Sequence, residues 1–375
     1  MRKVVFIVES LAVGGAERAL LDIVNNMDAG RFDVTVVSLY KWSVYQGYKD
    51  MLPASFRQGV RYRYLVNNHI RILYLLFNFL LNRAPSVVFR LFIGDRYDTV
   101  VAFYEGAPVR LVSRAALKRG KKVTWIQTSV SLSQRGKSPE EIRSEGNLYG
   151  EFDRIVALSR GAAQDFVGMF PSLKERMRVA YHPMDMSAIL RKAEASMDDL
   201  PEVRRPLLVS VGRMTWAKGY DRYLRVLRRL ADKGYKFQVW IVGGGDRSPF
   251  ERYCREASLD NVLFLGHKEN PYPYIEAADW FVLPSYVEGF GTVSMEALAL
   301  GRAVMATRCC GSEELLGDSE YGLVVENDEE ALEEGLERIL SDSALKAGYE
   351  STARERARLF DIEACIRTIE DCLYV

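Results

Sequence analysis

The chain has 375 residues, 48% of them hydrophobic and 27% charged. That is the balance of a globular protein with more than one core, and it excludes a disordered or collagen-like chain. Net charge is +1, but residues 1–200 carry 29 Lys and Arg against 20 Asp and Glu, while the remainder carries 22 against 30, so an anionic partner is expected on the first half.

The five cysteines, including the adjacent Cys309 and Cys310, have no metal-ligand spacing, and only three histidines accompany them. Free thiols in a reducing compartment are the simplest reading. The opening MRKVVFIVES has a short apolar run that stops at Glu9, so it reads as a buried strand and not as a secretion signal. No uncharged apolar stretch of 18 residues occurs, so no transmembrane helix is expected and the chain is assigned to the cytoplasm.

A glycine turn, LAVGGAE, follows the first strand, and AERALLDIVNNM then has helical spacing. Strand, glycine turn and helix open a doubly wound α/β domain. FDVTVVSLY, YDTVVAFYE, KKVTWIQT and FDRIVALS continue the strands, and RVAYHPMD reads as the last strand and exit of a domain over residues 1–183. Within it, residues 69–96 are apolar and basic with few acids. A core helix explains the Leu and Phe residues there. Arg71, Arg83, Arg90 and Arg96, with Trp42, Tyr45 and Tyr48 upstream, favour an interfacial surface against the anionic inner face of the cell membrane. No nucleic-acid motif accompanies the charge.

Residues 184 to about 205 read as a charged connector flanked by proline, after which the pattern restarts. PLLVSVGRM, FQVWIVGGG, VLFLG, WFVLPS, RAVMATR and GLVVE are strands. YDRYLRVLRRLADKG, PFERYCREASL, PYIEAAD, VSMEALALG and EEALEEGLERILSD are helices between and after them. The second domain is expected over residues 184–359. The final segment, 360–375, is apolar at Ile362, Cys365, Ile366, Ile369, Cys372 and Leu373, the spacing of an amphipathic helix. Packing on the second domain and crossing back to the first are both open.

Ligands of such sheets sit at the carboxyl ends of strands. Three strand ends carry candidate chemistry. GGAE, Gly14 to Glu17, permits close backbone approach but lacks the dinucleotide spacing, and is either structural or anion-binding. GRMTWAKG places Arg213 and Lys218 either as solvated surface cations or as a clamp for a diphosphate. EGFGTVSME places Glu288 before a tight glycine turn and Glu296 inside the helix beyond it. A carboxylate among anion-binding amides accepts paired hydrogen bonds from vicinal hydroxyls, or else favours the helix N-terminus. No D-x-D sequence occurs to hold a divalent metal on a diphosphate.

GGAERAL, GRMTWAKGYD, VGGG, LPSYVEGFGTVSMEALALGRAVMAT and GSEELL, in this order and spacing, resemble the retaining GT-B-type glycosyltransferases of family 4, over nearly the whole chain. The resemblance implies two tandem Rossmann-like domains facing a central cleft. It implies a retaining, metal-independent transfer of a hexose from a UDP-sugar to a surface-glycan or lipid-linked acceptor, with no resident cofactor. By the same resemblance, Arg213 and Lys218 bind the donor diphosphate, Glu288 the sugar hydroxyls and Glu296 the ribose. The amides of Phe290, Gly291, Thr292 and Val293 take sugar and phosphate oxygens, Gly15 lets a loop close on the diphosphate, and His267 lines the base. Two positions depart from the family's pattern: Gln127 stands where a histidine beside the donor sugar is usual, and His182 where asparagine is frequent. Gln127 offers hydrogen bonds but takes up no proton at neutral pH. It motivates an alternative in which the chain is a non-catalytic subunit supporting a partner transferase. A nucleotide-sugar epimerase of the same architecture is a third reading, which so histidine-poor a chain supplies poorly with acid–base groups.

Overall fold

The strands form where the sequence runs apolar on both faces. In the computed structural model, which describes residues 1–11, 14–42, 55–133, 136–195 and 200–375, Val4 to Val8 of the first strand are wholly buried. The chain divides into two compact units, one of Met1–Pro183 with Ile362–Val375 and the other of Met184–Asp361. Tyr45 and Tyr48 lie outside the described residues.

The first unit runs β1 (Arg2–Val8), α1 (Gly15–Asn26), β2 (Phe32–Tyr40), β3 (Arg61–Val66), α2 (Arg71–Arg83), α3 (Pro85–Phe92), β4 (Thr99–Ala102), α4 (Ala107–Ser113), β5 (Lys121–Ile126), α5 (Val130–Ser133), α6 (Pro139–Tyr149), β6 (Arg154–Ala157), α7 (Arg160–Met169) and β7 (Met177–Val179). Its seven-stranded parallel sheet has the order β3-β2-β1-β4-β5-β6-β7. The order reverses between β1 and β4, which makes their carboxyl ends the switch point of this sheet.

The second unit runs α8 (Met186–Ala193), β8 (Leu207–Val211), α9 (Tyr220–Asp232), β9 (Gln238–Val242), α10 (Ser248–Glu256), β10 (Val262–Gly266), α11 (Tyr272–Glu276), β11 (Trp280–Leu283), α12 (Thr292–Ala299), β12 (Ala303–Thr307), α13 (Ser312–Leu316), β13 (Leu323–Val325), α14 (Glu329–Ser341) and α15 (Ser343–Ala357). Its six strands are ordered β10-β9-β8-β11-β12-β13, again parallel, with the switch between β8 and β11.

Several elements differ from the sequence reading. The β3 strand was not expected, because RYRYLV alternates Arg with Tyr and has no apolar run; it forms as an edge strand, paired only with β2. Residues 71–92 make two helices, bent by 116°, because Pro85 at the first turn of α3 has no N–H to continue α2. RVAYHPMD is a strand only through Val179. The helix α15 was not expected either; it carries only three buried residues, Tyr349, Ala353 and Ala357, among charges.

The last helix, α16 (Ile362–Cys372), belongs to the first unit. Its Cys365, Ile369 and Cys372, with Leu373, join Leu20, Ile23 and Val24 of α1 in one core. Glu370 is 3% exposed, and it is held by the Asp28 amide at 2.7 Å and the Arg31 guanidinium at 2.7 Å. Both carboxylate oxygens are thereby satisfied, which such burial requires. Ile369→Ala is expected to cost about 2–4 kcal/mol. Hydrogen exchange checks this: amides of β1 and α1 lose protection, while those of β8 and β9 keep theirs.

Candidate active site

The loops after β8, β9 and β10 are stitched edge to edge at the rim of the second sheet. The Gly212 amide donates to Val242 O at 2.9 Å, Met214 N to Gly244 O at 2.8 Å, and Gly243 N to Gly266 O at 2.8 Å. A Cβ at Gly243 would lie 1.8 Å from the Gly212 carbonyl oxygen, so the close approach requires glycine there. These bonds put Arg213 and His267, both exposed, on one rim, to either side of the loop after β9.

Across the switch point, the loop after β8 meets the loop after β11. Ala217 O accepts from Tyr286 N at 2.8 Å and from Val287 N at 3.2 Å. Gly219 has φ +66°, and a Cβ there would stand 2.1 Å from Pro284 O. Beneath it, Arg222 is buried and its Nη2 donates to Pro284 O, Ser285 O and Asn327 Oδ1 at 2.9, 3.0 and 2.6 Å. The guanidinium also lies under the Tyr286 ring, 4.2 Å from its centroid. One planar fork thus binds carbonyls from two strand ends.

This scaffold brings Lys218 to Glu288. Their Nζ and Oε2 are 2.6 Å apart, with side-chain exposures of 19% and 16%. Ser285 Oγ donates to the same oxygen at 3.3 Å. The following turn ends at Gly291, with φ +76°, which caps α12. The amides of its first turn have no intrahelical acceptor, so Thr292 and Val293 offer donors beside Glu288. Phe290 contributes backbone only, since its ring is buried edge-on against Phe360 at 5.2 Å. Glu296 does not cap the helix; its Oε1 accepts from the Tyr272 hydroxyl at 3.1 Å. Cys309, on the neighbouring strand end, has its thiol pushed up to about 12 by burial and then by the Glu288 charge, so it is no nucleophile at neutral pH.

Sequence reasoning missed Tyr272, Ser285 and Arg222. No spacing pattern ties them to the glutamates, and Arg222 reads as one more cation on a basic helix.

The first unit's strand ends carry different groups. Gly15 opens α1 and is exposed. Glu105, which sequence reasoning passed over, accepts from the amides of Gln127 at 2.7 Å and Thr128 at 3.2 Å. Burial raises the Glu105 pKa, and the amide bonds oppose that shift. Gln127 turns its carboxamide inward: Nε2 donates to Phe103 O at 2.9 Å, and Oε1 is buried without a partner among the described residues. His182 is buried and stacks on Phe103 at 6.2 Å, and among the described residues neither ring nitrogen has a hydrogen-bond partner. It is a core residue. Among the described residues, no group of three or more His, Cys, Asp or Glu side chains is placed to hold a metal ion.

Comparison with known proteins agrees with this architecture. Residues 13–188 match Glycosyltransferase Family 4 and residues 193–356 match Glycosyl transferases group 1. Anabaena HepE, solved with UDP and glucose, superposes over 100% of both chains with TM-score 0.77 at 18% identity, a likeness that shows the GT-B fold. The chain belongs to the group 1 glycosyltransferases. Among relatives, it is 33% identical over 57% of its length to N-acetylgalactosamine-N,N'-diacetylbacillosaminyl-diphospho-undecaprenol 4-alpha-N-acetylgalactosaminyltransferase of Campylobacter jejuni. It is 29% identical, also over 57%, to the lipopolysaccharide core biosynthesis glycosyltransferase LpsE of Rhizobium meliloti. The matched stretches span 58% and 61% of those two relatives.

Two outcomes follow from this geometry. Gly219→Ala forces a Cβ against a backbone carbonyl in the left-handed region and is expected to cost about 1–3 kcal/mol, read as a lower melting temperature; an unchanged melt would show that the two loops part freely. Burial holds the His182 pKa down to about 4, below its unfolded value of about 6.5. The stability carried by neutral His182 is therefore present above pH 6.5 and lost as pH falls toward 4, by about 2 kcal/mol between pH 7 and pH 5. Urea unfolding at the two pH values checks it, with His182→Phe flattening the difference.

Proposed function

We propose that the chain transfers a hexose from a UDP-sugar, with retained configuration and no divalent metal, to a lipid-linked or surface-glycan acceptor. The observation that carries this reading is the Lys218–Glu288 pair at 2.6 Å beside the first turn of α12, at the switch point of the second sheet. Lys218 and Arg213 neutralise the donor diphosphate as charge develops on it. Glu288 accepts from the sugar hydroxyls, and a diphosphate draws Lys218 away from it. Glu296, oriented by Tyr272, accepts from the ribose hydroxyls, and His267 flanks the base. The acceptor oxygen bonds to the anomeric carbon as the bond to the phosphate oxygen breaks, and the hydroxyl proton passes to the leaving phosphate. No side-chain base is needed in that step, which accommodates Gln127. The undecaprenol diphosphate acceptor named for the Campylobacter relative supports a lipid-linked acceptor.

The first unit supports attachment to a membrane surface. Ile72, Leu75, Leu76 and Phe79 of α2 and Leu91 of α3 are exposed large apolar side chains, with Ile72 at 77% and Leu91 at 70%. Arg71, Arg83 and Arg90 lie exposed on the same two helices. No single described helix is long and apolar enough to cross a membrane. Apolar area with flanking arginines suits the interface of an anionic leaflet, and the cytoplasmic face fits a nucleotide-sugar donor.

A second reading, a subunit that supports a partner transferase, is favoured by the inward-turned carboxamide of Gln127. Thermal stability with UDP, GDP and ADP and their sugars, in EDTA, separates the two. A ligand at one hundred times its dissociation constant adds about 2.7 kcal/mol. Stabilisation by UDP and one UDP-sugar, abolished in Arg213→Ala, is expected; no stabilisation by any nucleotide moves the case to the second reading. Glu288→Ala is expected to fold and to lose turnover by a hundredfold or more, about 2.7 kcal/mol of transition-state binding, and full activity would refute the site.

A further inference from the structure

The first unit has a cationic cavity of about 640 Å³ at the amino-terminal edge of its sheet, remote in the strand direction from the carboxyl ends described above. Lys3, Arg61, Arg63 and Arg96 line it, with Asp33 and Tyr97. Asp33 is already engaged by Arg61 at 2.6 Å. Arg96 is exposed and lies over the Tyr97 ring at 5.3 Å. Arg63 differs from these: its Nε and Nη2 are buried and have no hydrogen-bond partner among the described residues. Buried guanidinium donors left unpaired cost several kcal/mol, so such a group is expected to meet an acceptor. A fork of two adjacent N–H groups matches two oxygens of a phosphate.

The register fixes which face of the sheet this cavity opens on. Val5 pairs with Thr35 and Thr35 with Arg61; Ile7 pairs with Val37 and Val37 with Arg63. Register partners share a face. Val5, Ile7 and Val37 pack in the same core as Phe77 and Leu81 of α2 and Val88 and Phe89 of α3. The cavity therefore opens on the face that carries the exposed apolar helices, and Arg96 follows the end of α3 by four residues. Residues 51–94 contain six Arg and no Asp or Glu. The cationic cavity and the apolar helices lie on one face of this sheet.

We infer that this cavity binds the phosphate of an anionic phospholipid headgroup, with Arg63 supplying the paired donors and α2–α3 resting among the acyl chains. The inference rests on the membrane reading above and adds a specific headgroup site to it. Lipid is favoured over a soluble phosphate because the neighbouring surface is apolar and because the arginines outside the cavity extend along that surface.

The test is flotation of the full chain with phosphatidylcholine vesicles, with and without phosphatidylglycerol, alongside melts in glycerol 3-phosphate. Arg63→Gln is expected to weaken binding to the phosphatidylglycerol vesicles by about fivefold or more, the scale of one basic contact at a membrane. Arg63→Lys is expected to do nearly the same, since the charge remains but the fork does not. Arg96→Gln, at an exposed position that folding does not depend on, is expected to weaken the same vesicles in the same direction. Phe79→Ser weakens both vesicle types and so reports on the apolar surface alone. If the Arg63 and Arg96 variants float like the parent while Phe79→Ser does not, the headgroup site is overturned and the membrane reading stands. If the parent floats with neither vesicle, both fall. If glycerol 3-phosphate raises the melting temperature in an Arg63-dependent way while flotation ignores Arg63, the ligand is a soluble phosphate and the lipid assignment is overturned.

Discussion

The second unit depends on one backbone contact, the approach of the loop after β8 to the loop after β11 at Gly219 and Pro284. Nothing larger than glycine fits under that carbonyl. The carbonyls crowded there are satisfied by Arg222, a buried cation whose partners are almost all backbone oxygens. Without the guanidinium, the Pro284 carbonyl after β11 and the Asn327 carbonyl after β13 would lose the donor that ties them together beneath the contact. With it, the loops close, and Lys218 and Glu288, seventy positions apart, come within 2.6 Å. The candidate chemistry is thus a consequence of how two loop backbones are held, and the two charged side chains are set by it.

A carboxylate beside the N-terminus of α12 is favoured by the helix dipole, but it competes with any anionic ligand for the same amides. Lys218 and the Ser285 hydroxyl relieve that here. The pair neutralises Glu288 before any ligand arrives. It also gives the site one cation and one anion that a phosphorylated sugar would separate, the phosphate taking the ammonium and the hydroxyls taking the carboxylate. Glu296 has its own partner in Tyr272 on α11, so the two glutamates of EGFGTVSME answer to different neighbours although one turn of chain joins them.

The first unit is built by a different balance. Its sheet core is completed by α16, the last helix of the chain, through apolar contacts with α1 and through the doubly bonded Glu370. The opposite face carries α2 and α3, which bury only Phe77, Leu81, Val88 and Phe89. Most of the remaining apolar side chains of these helices are exposed among arginines. In a protein surrounded by water alone this would be an unfavourable surface, whereas at an anionic interface both the apolar area and the charge have somewhere to go.

The sequence by itself determined the strands, the helices between them and the two Rossmann-like units, because strands buried on both faces must be apolar throughout and glycine turns must sit at their ends. It also marked Arg213, Lys218, Glu288 and Glu296, since charged residues at strand ends and around a glycine turn stand out from an apolar background. Only the tertiary structure decided that β3 is a strand, since an edge strand rich in arginine has no apolar signature. It alone decided that α16 returns to the first unit, because an amphipathic face specifies that it is covered and not by what. Arg222, Tyr272 and Glu105 were likewise illegible: each acts through backbone or side-chain groups 22 to 105 positions away, and such bonds are fixed by the packing of whole elements, which no local pattern of residues encodes.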